Sequence, residues 1–255
     1  MTEALNWAAM AVSLSVFMVK TPQLARRRSP WQLRYVWLLG YASFWGFYFR
    51  LPAVTAAARR LTGVSNTTWF LSRVFFAVAL YALARSVYRI FRIPARWIDA
   101  GFIALVVTLL ATFPAVTYLP EHNHIHPLPP SGFWGYVFQD SFSIFGVLIM
   151  LPVVHKFVDL FLGERILGTK LRWAALTIAV LAGINVLMLN FLLGHSAWFT
   201  PSTVEKIRQS YNAMKIVVLL WPVTFIDAPF RRLALTIAAF RLRRLRMRLE
   251  GCGAE

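Results

Sequence analysis

The chain has little cysteine, little acid and little charge of any kind. Its single cysteine, Cys252, excludes an intramolecular disulfide and argues against a thiolate metal site. Charged residues make up 15% of the sequence, against about 25% in an ordinary soluble domain. Hydrophobic residues make up 58%, mean hydropathy is +0.59, and the apolar residues fall in runs longer than one globular core of this size could bury. A water-soluble enzyme, a disordered chain and a disulfide scaffold are thereby excluded. Catalytic signatures are missing too. There is no G-x-S-x-G, no H-E-x-x-H, no intramembrane Asp pair and no glutamate-rich metal helix, so the chain does not read as an enzyme.

What the chain does have is basic charge. It holds 27 Lys and Arg against 10 Asp and Glu, a net +17. The cations cluster between apolar runs, which suits topology and lipid contact better than nucleic acid. A bilayer-crossing helix needs about 20 mostly apolar residues. Seven candidates are expected, at residues 4–19, 35–58, 66–83, 98–118, 133–154, 173–193 and 207–225. Pro52, Pro114, Pro152 and Pro222 fall inside them, as kinks that neighbouring helices tolerate in lipid. Met1-Thr2-Glu3 has no positive n-region, and the first apolar run leads into Lys20 and Arg26, Arg27 and Arg28. That pattern reads as a retained anchor rather than a cleaved signal peptide. The last four residues lack the aliphatic pair of a prenylation signal.

Alternate connections carry the basic clusters: Arg26–Arg28 with Arg34, then Arg85, Arg89, Arg92 and Arg96, then Lys156, Arg165, Lys170 and Arg172, then the arginines after residue 229. The positive-inside rule places the N-terminus outside and the C-terminus in the cytoplasm. Trp31, Trp97 and Trp173 flank the basic side, and Trp7, Trp69, Trp134 and Trp198 the other, as interfacial belts. The expected fold is an all-α polytopic membrane bundle over 1–228, followed by a basic cytoplasmic tail over 229–255. In that tail Leu235, Ala238, Leu242, Leu245 and Leu249 recur at helical spacing, with Arg241, Arg244 and Arg248 on another stripe. The tail therefore reads as an amphipathic helix on anionic inner-leaflet lipids or as a docking surface for a cytoplasmic regulatory protein.

Charged and amide side chains within the spans mark a candidate site. At 1.5 Å per residue, Arg50 and Asp140 lie about 24 Å, and Arg73 and Lys215 about 18 Å, from the cytoplasmic ends of their spans. All four fall in the outer half of a core about 30 Å thick. Asn185 and Asn190 reach similar levels. Such residues usually face the bundle or a wet cavity, so these six are expected to form an outward-facing pocket. Its formal charge of +2 would favour a small anionic or lipid ligand. The alternative is that Arg50 and Arg73 snorkel to the headgroups. A lysine in the seventh span also invites a retinal Schiff base, which Arg73 opposes by standing where a counter-ion is needed. Between the fourth and fifth spans, His122, His124 and His126 share one face of an extended strand. Imidazoles suit Zn or Cu, so that loop is the one metal reading in a chain with no cofactor motif.

The segment Leu61-Thr62-Gly63-Val64-Ser65-Asn66 resembles the corresponding loop of a family of seven-helix membrane proteins found mostly in actinobacteria and labelled as transporters. The N-out plan and Arg/Leu-rich tail are similar, although this chain has a shorter cytosolic part. The resemblance implies a multipass protein of a bacterial plasma membrane and carries no catalytic residues across. A sensor-like receptor or scaffold is the first expectation. A small-molecule transporter is the second, and a membrane enzyme or metal-binding protein the third.

Overall fold

The computed structural model describes residues 2–24, 31–91, 93–117, 132–218 and 235–239. Among them the regular structure is helix, with no strand. Eight helices run in the order α1 (Thr2–Leu24), α2 (Trp31–Tyr48), α3 (Pro52–Thr62), α4 (Thr67–Ile90), α5 (Arg96–Val116), α6 (Gly132–Gly163), α7 (Leu167–Gly194) and α8 (Pro201–Val218). A 3-10 turn at Ser196–Trp198 joins the last two. Residues 235–239 are also helical. The rest of the tail, with Arg241, Arg244 and Arg248, lies outside the described residues.

Four of these helical stretches, Thr67–Arg89, Arg96–Val116, Gly132–Gly163 and Leu167–Gly194, are long and apolar enough to cross a membrane. Their outward faces are apolar at helical spacing. On α5 these are Ile103, Val107 and Leu110, and on α6 they are Ile144, Leu148 and Leu151, each more than half exposed. Such stripes would be a liability in water and are at home against hydrocarbon. The other expected spans do not meet that description among the described residues. Trp and Tyr stand in α2 where aliphatic residues stand in α4–α7. Glu205, Lys206, Arg208 and Gln209 interrupt α8, and the apolar run over 219–225 lies outside the described residues.

The span expected at 35–58 divides in two. α2 ends at Tyr48 and Pro52 opens α3. Leu51 takes an extended conformation, φ −72° and ψ 131°, as steric clash with a following proline requires. Pro52 itself suits the first helical turn, where no intrahelical donor is needed. Pro52 is therefore a break and not a kink, whereas Pro114 and Pro152 lie inside α5 and α6 as expected. Helix α3 has 11 residues, none buried, too few to cross a bilayer. It ends at Gly63 with φ 68°, a left-handed cap that glycine adopts without strain. The 61–66 loop then turns on Asn66, also left-handed, whose side-chain amide donates to Val116 O at 2.9 Å and ties the start of α4 to the end of α5.

Cross-links between neighbours show how the helices run. Trp37 Nε1 donates to Thr21 Oγ1 near the α1–α2 junction, and Gln139 Nε2 donates to Asn190 O between the start of α6 and the end of α7. Consecutive long helices are antiparallel. α1 packs on α2, α2 on α4, α4 on α6, α6 on α7 and α7 on α8, and a brief contact between α8 and α1 closes a six-helix ring. α5 stands outside the ring, in the groove between α4 and α6. Small residues let the helices approach closely. Ala42 on α2 meets Ala79 and Ala82 on α4, and at Gly146 on α6 any Cβ would collide with Leu187 of α7. Farther from the start of α4, Ile149, Met150, Val153, Leu176 and Val180 join Ala84 and Val87 in a continuous apolar core.

Candidate functional site

The ring encloses a cavity of about 170 Å³, lined by every helix of the ring and by the turn after α2. α5 contributes nothing to this lining. Asn6 and Ala9 come from α1, Phe47 from α2, Arg50 from the turn after it, and Arg73, Phe76 and Leu80 from α4. Phe142 comes from α6, Gly183, Val186, Leu187 and Asn190 from α7, and Tyr211 and Lys215 from α8. On the same measure one water needs only about 10–15 Å³.

The sequence places Arg50 here through Pro52. Ending α2 at Tyr48 leaves Arg50 in a tight turn, with its backbone N–H bonded to Phe47 O at 3.0 Å. From there its Nε donates to Ser72 Oγ at 3.1 Å, and its guanidinium lies 4.6 Å from the centre of the Phe76 ring. Ser72 passes the chain of hydrogen bonds on to Gly46 O.

Arg73 is only 4% exposed. Its Nη1 donates to Gln139 O at 3.1 Å. The rings of Phe142, Trp69 and Phe138 surround the guanidinium at 5.0, 5.4 and 5.7 Å. Lys215 turns its ammonium back one helical turn, to 4.0 Å from the centre of the Tyr211 ring. That reach draws the charge toward the Pro201 end of α8, where the other polar groups lie.

Each cation thus rests on aromatic faces, and the two arginines add a neutral oxygen. No salt bridge joins any of the three to a carboxylate among the described residues. Aromatic contact is worth about 0.5–2 kcal/mol, whereas a charge in the middle of a membrane helix costs at least about 2.5 kcal/mol. The local contacts offset part of that cost and leave positive charge facing the cavity.

Of the six residues expected to share a pocket, Arg50, Arg73, Asn190 and Lys215 line the cavity. Asp140 and Asn185 do not. Asp140 points to α7, where its Oδ2 lies 3.1 Å from His195 Nε2. That imidazole is stacked between Tyr136 and Trp198, with ring centres at 4.9 and 4.3 Å. Asn185 is exposed on the outer face of α7 and donates back to Leu181 O. With Asp140 turned away, the lining holds three cations and no acid, a formal +3 in place of +2. Trp69 departs from its expected belt position, because it is 4% exposed and packs on Phe138. Trp7, Trp134 and Trp198 are at least half exposed.

Three contributors were not anticipated. Asn6, 4% exposed, is the one amide in the apolar stretch of α1. Tyr211 precedes Lys215 by four residues, a spacing that shares a helix face. Gln139 supplies the carbonyl that holds Arg73, and its side chain bridges to α7. The histidine loop, with His122, His124 and His126, lies outside the described residues. No group of three or more His, Cys, Asp or Glu that could hold a metal occurs among those described. Comparison of the chain with protein-family models, with curated proteins and with solved structures returns no match, so the site is read from its own chemistry.

Proposed function

We propose that this chain is a receptor-like membrane module whose ring cavity binds an anionic ligand from the outer side. In this reading it crosses the membrane seven times, through α1, α2 and α4–α8, with its N-terminus outside and its basic tail in the cytoplasm on anionic lipid or a regulatory protein. The observation that carries it is the cavity lining: Arg50, Arg73 and Lys215, from three separate segments, with no carboxylate among them. A buried charge without a counter-ion is costly, and a ligand that supplies the counter-charge recovers that cost on binding.

A receptor is favoured over a transporter by where the lining stops. On α4 it ends at Leu80 and on α7 at Gly183. Beyond them α4, α6 and α7 pack on one another in the apolar core around Ile149, Val153 and Val180, and transport would need a path between helices at that level. Native mass spectrometry of the full chain released from mild detergent tests the reading. A bound anionic mass is expected in the parent protein and absent in Lys215→Met. Retention of the same mass by Lys215→Met and by Arg50→Gln would refute it.

A further inference from the structure

The cavity has two ends of different chemistry, and that difference narrows the ligand. Arg50, Arg73, Lys215, Asn190 and Tyr211 crowd one end. From Arg73 to Leu80 along α4, and from Asn190 to Gly183 along α7, the lining runs seven residues, about 10 Å. It changes over that distance from cationic to aliphatic. A compact inorganic anion would satisfy the first end and leave Leu80, Val186 and Leu187 facing nothing of their own kind.

We infer that the site takes an amphiphile bearing a terminal phosphate and one hydrocarbon chain, with the phosphate among Arg50, Arg73 and Lys215 and the chain against Leu80, Gly183 and Leu187. The inference rests on the anion-binding reading above and specifies its ligand. Three cations without an acid match a head of high negative charge. A phosphomonoester carries about −1.5 to −2 at neutral pH, whereas a carboxylate carries one charge. The planar guanidinium groups also suit the several acceptor oxygens of a phosphate. Gly183 sharpens the assignment of the chain. A Cβ built there meets nothing within 4 Å, so the missing side chain leaves open space in the aliphatic part of the lining.

The test is a titration of the full chain, held in phosphatidylcholine nanodiscs, with inorganic phosphate and with butyl, hexyl and octyl phosphate. Protein-free nanodiscs correct for partition into lipid. Affinity is expected to rise by roughly fourfold per added methylene until the chain fills the apolar end. Gly183→Leu, or the smaller plug Gly183→Val, is expected to flatten that dependence, with a thermal melt of each variant reporting an intact fold. Octanoate is expected to bind at least about tenfold more weakly than octyl phosphate. Equal binding of inorganic and octyl phosphate, with no effect of either Gly183 variant, would overturn the inference and leave the anion site standing. Octanoate binding as tightly as octyl phosphate would overturn the assignment of the head. No binding of any of these probes, with Lys215→Met indistinguishable from the parent, would overturn the inference and the receptor reading together.

Discussion

Two arginines on α4 carry their charge in opposite ways. Arg85 is paired: its Nη2 lies 3.1 Å from Asp99 Oδ2 in the first turn of α5, and Tyr81 donates to the other carboxylate oxygen at 2.8 Å. Those charged side chains are about a third exposed, at 31% and 35%. Twelve residues earlier, about 18 Å along the helix, Arg73 is 4% exposed and forms no salt bridge among the described residues. Stability alone would compensate the deeper charge first. The bundle does the reverse, and in the proposed reading the pair at Arg85 is structure and the cluster at Arg73 a site held ready at some cost to the fold.

The contrast breaks most sharply in binding. Arg73→Met is expected to weaken octyl phosphate binding by about 30-fold or more, because truncating one partner of a buried charge pair costs about 2–5 kcal/mol. Arg85→Met should change it less than about threefold in the same titration. Stability reverses the order. Asp99→Ala removes the Tyr81 hydrogen bond, worth about 1 kcal/mol, and a partly exposed ion pair worth at most about 1 kcal/mol. A loss of about 1–2 kcal/mol is expected in a thermal melt without ligand. Under the same conditions Arg73→Met should change stability by less than about 1 kcal/mol, because the relieved desolvation cost of at least about 2.5 kcal/mol is offset by the lost aromatic contacts and the hydrogen bond to Gln139 O. A loss of about 2 kcal/mol or more there would mean that Arg73 serves the fold. The smallest effect belongs to Lys156→Ala. Its ammonium meets Asp159 at 3.1 Å on a solvent-facing surface, and such pairs are worth under about 0.5 kcal/mol.

Depth was legible in the sequence, and rotation about the helix axis was only partly so. Apolar runs located α4 to α7 to within two or three turns, because a long run of aliphatic residues has few other uses. Counting residues along each span brought Arg50, Arg73, Asn190 and Lys215 to one level, and those four do share the cavity. The same count admitted Asn185, although it stands five positions from Asn190. That spacing is about 140° around a helix, so one amide inside puts the other outside. Asp140 is two positions from Phe142, which lines the cavity, and so it faces nearly the opposite way. Periodicity held both corrections, and it also pointed to Tyr211, four residues before Lys215. The break at Pro52 was visible as a proline but not as a break. An in-span proline kinks or interrupts a helix according to its tertiary neighbours, and those are not written locally. Trp69 shows the same limit, since an aromatic near a helix end is an anchor or a core residue depending on which way it turns.

Among the described residues the ring is closed by helix–helix seams on five sides and by the brief meeting of α1 and α8 on the sixth. If the proposed amphiphile comes from the bilayer itself, that joint is its shortest way in. A guest arriving by that route searches in two dimensions. Its effective concentration is the fraction of one leaflet it occupies, not the amount dissolved outside. Occupancy would then follow the make-up of the membrane itself, and the protein would act as a gauge of the sheet in which it sits.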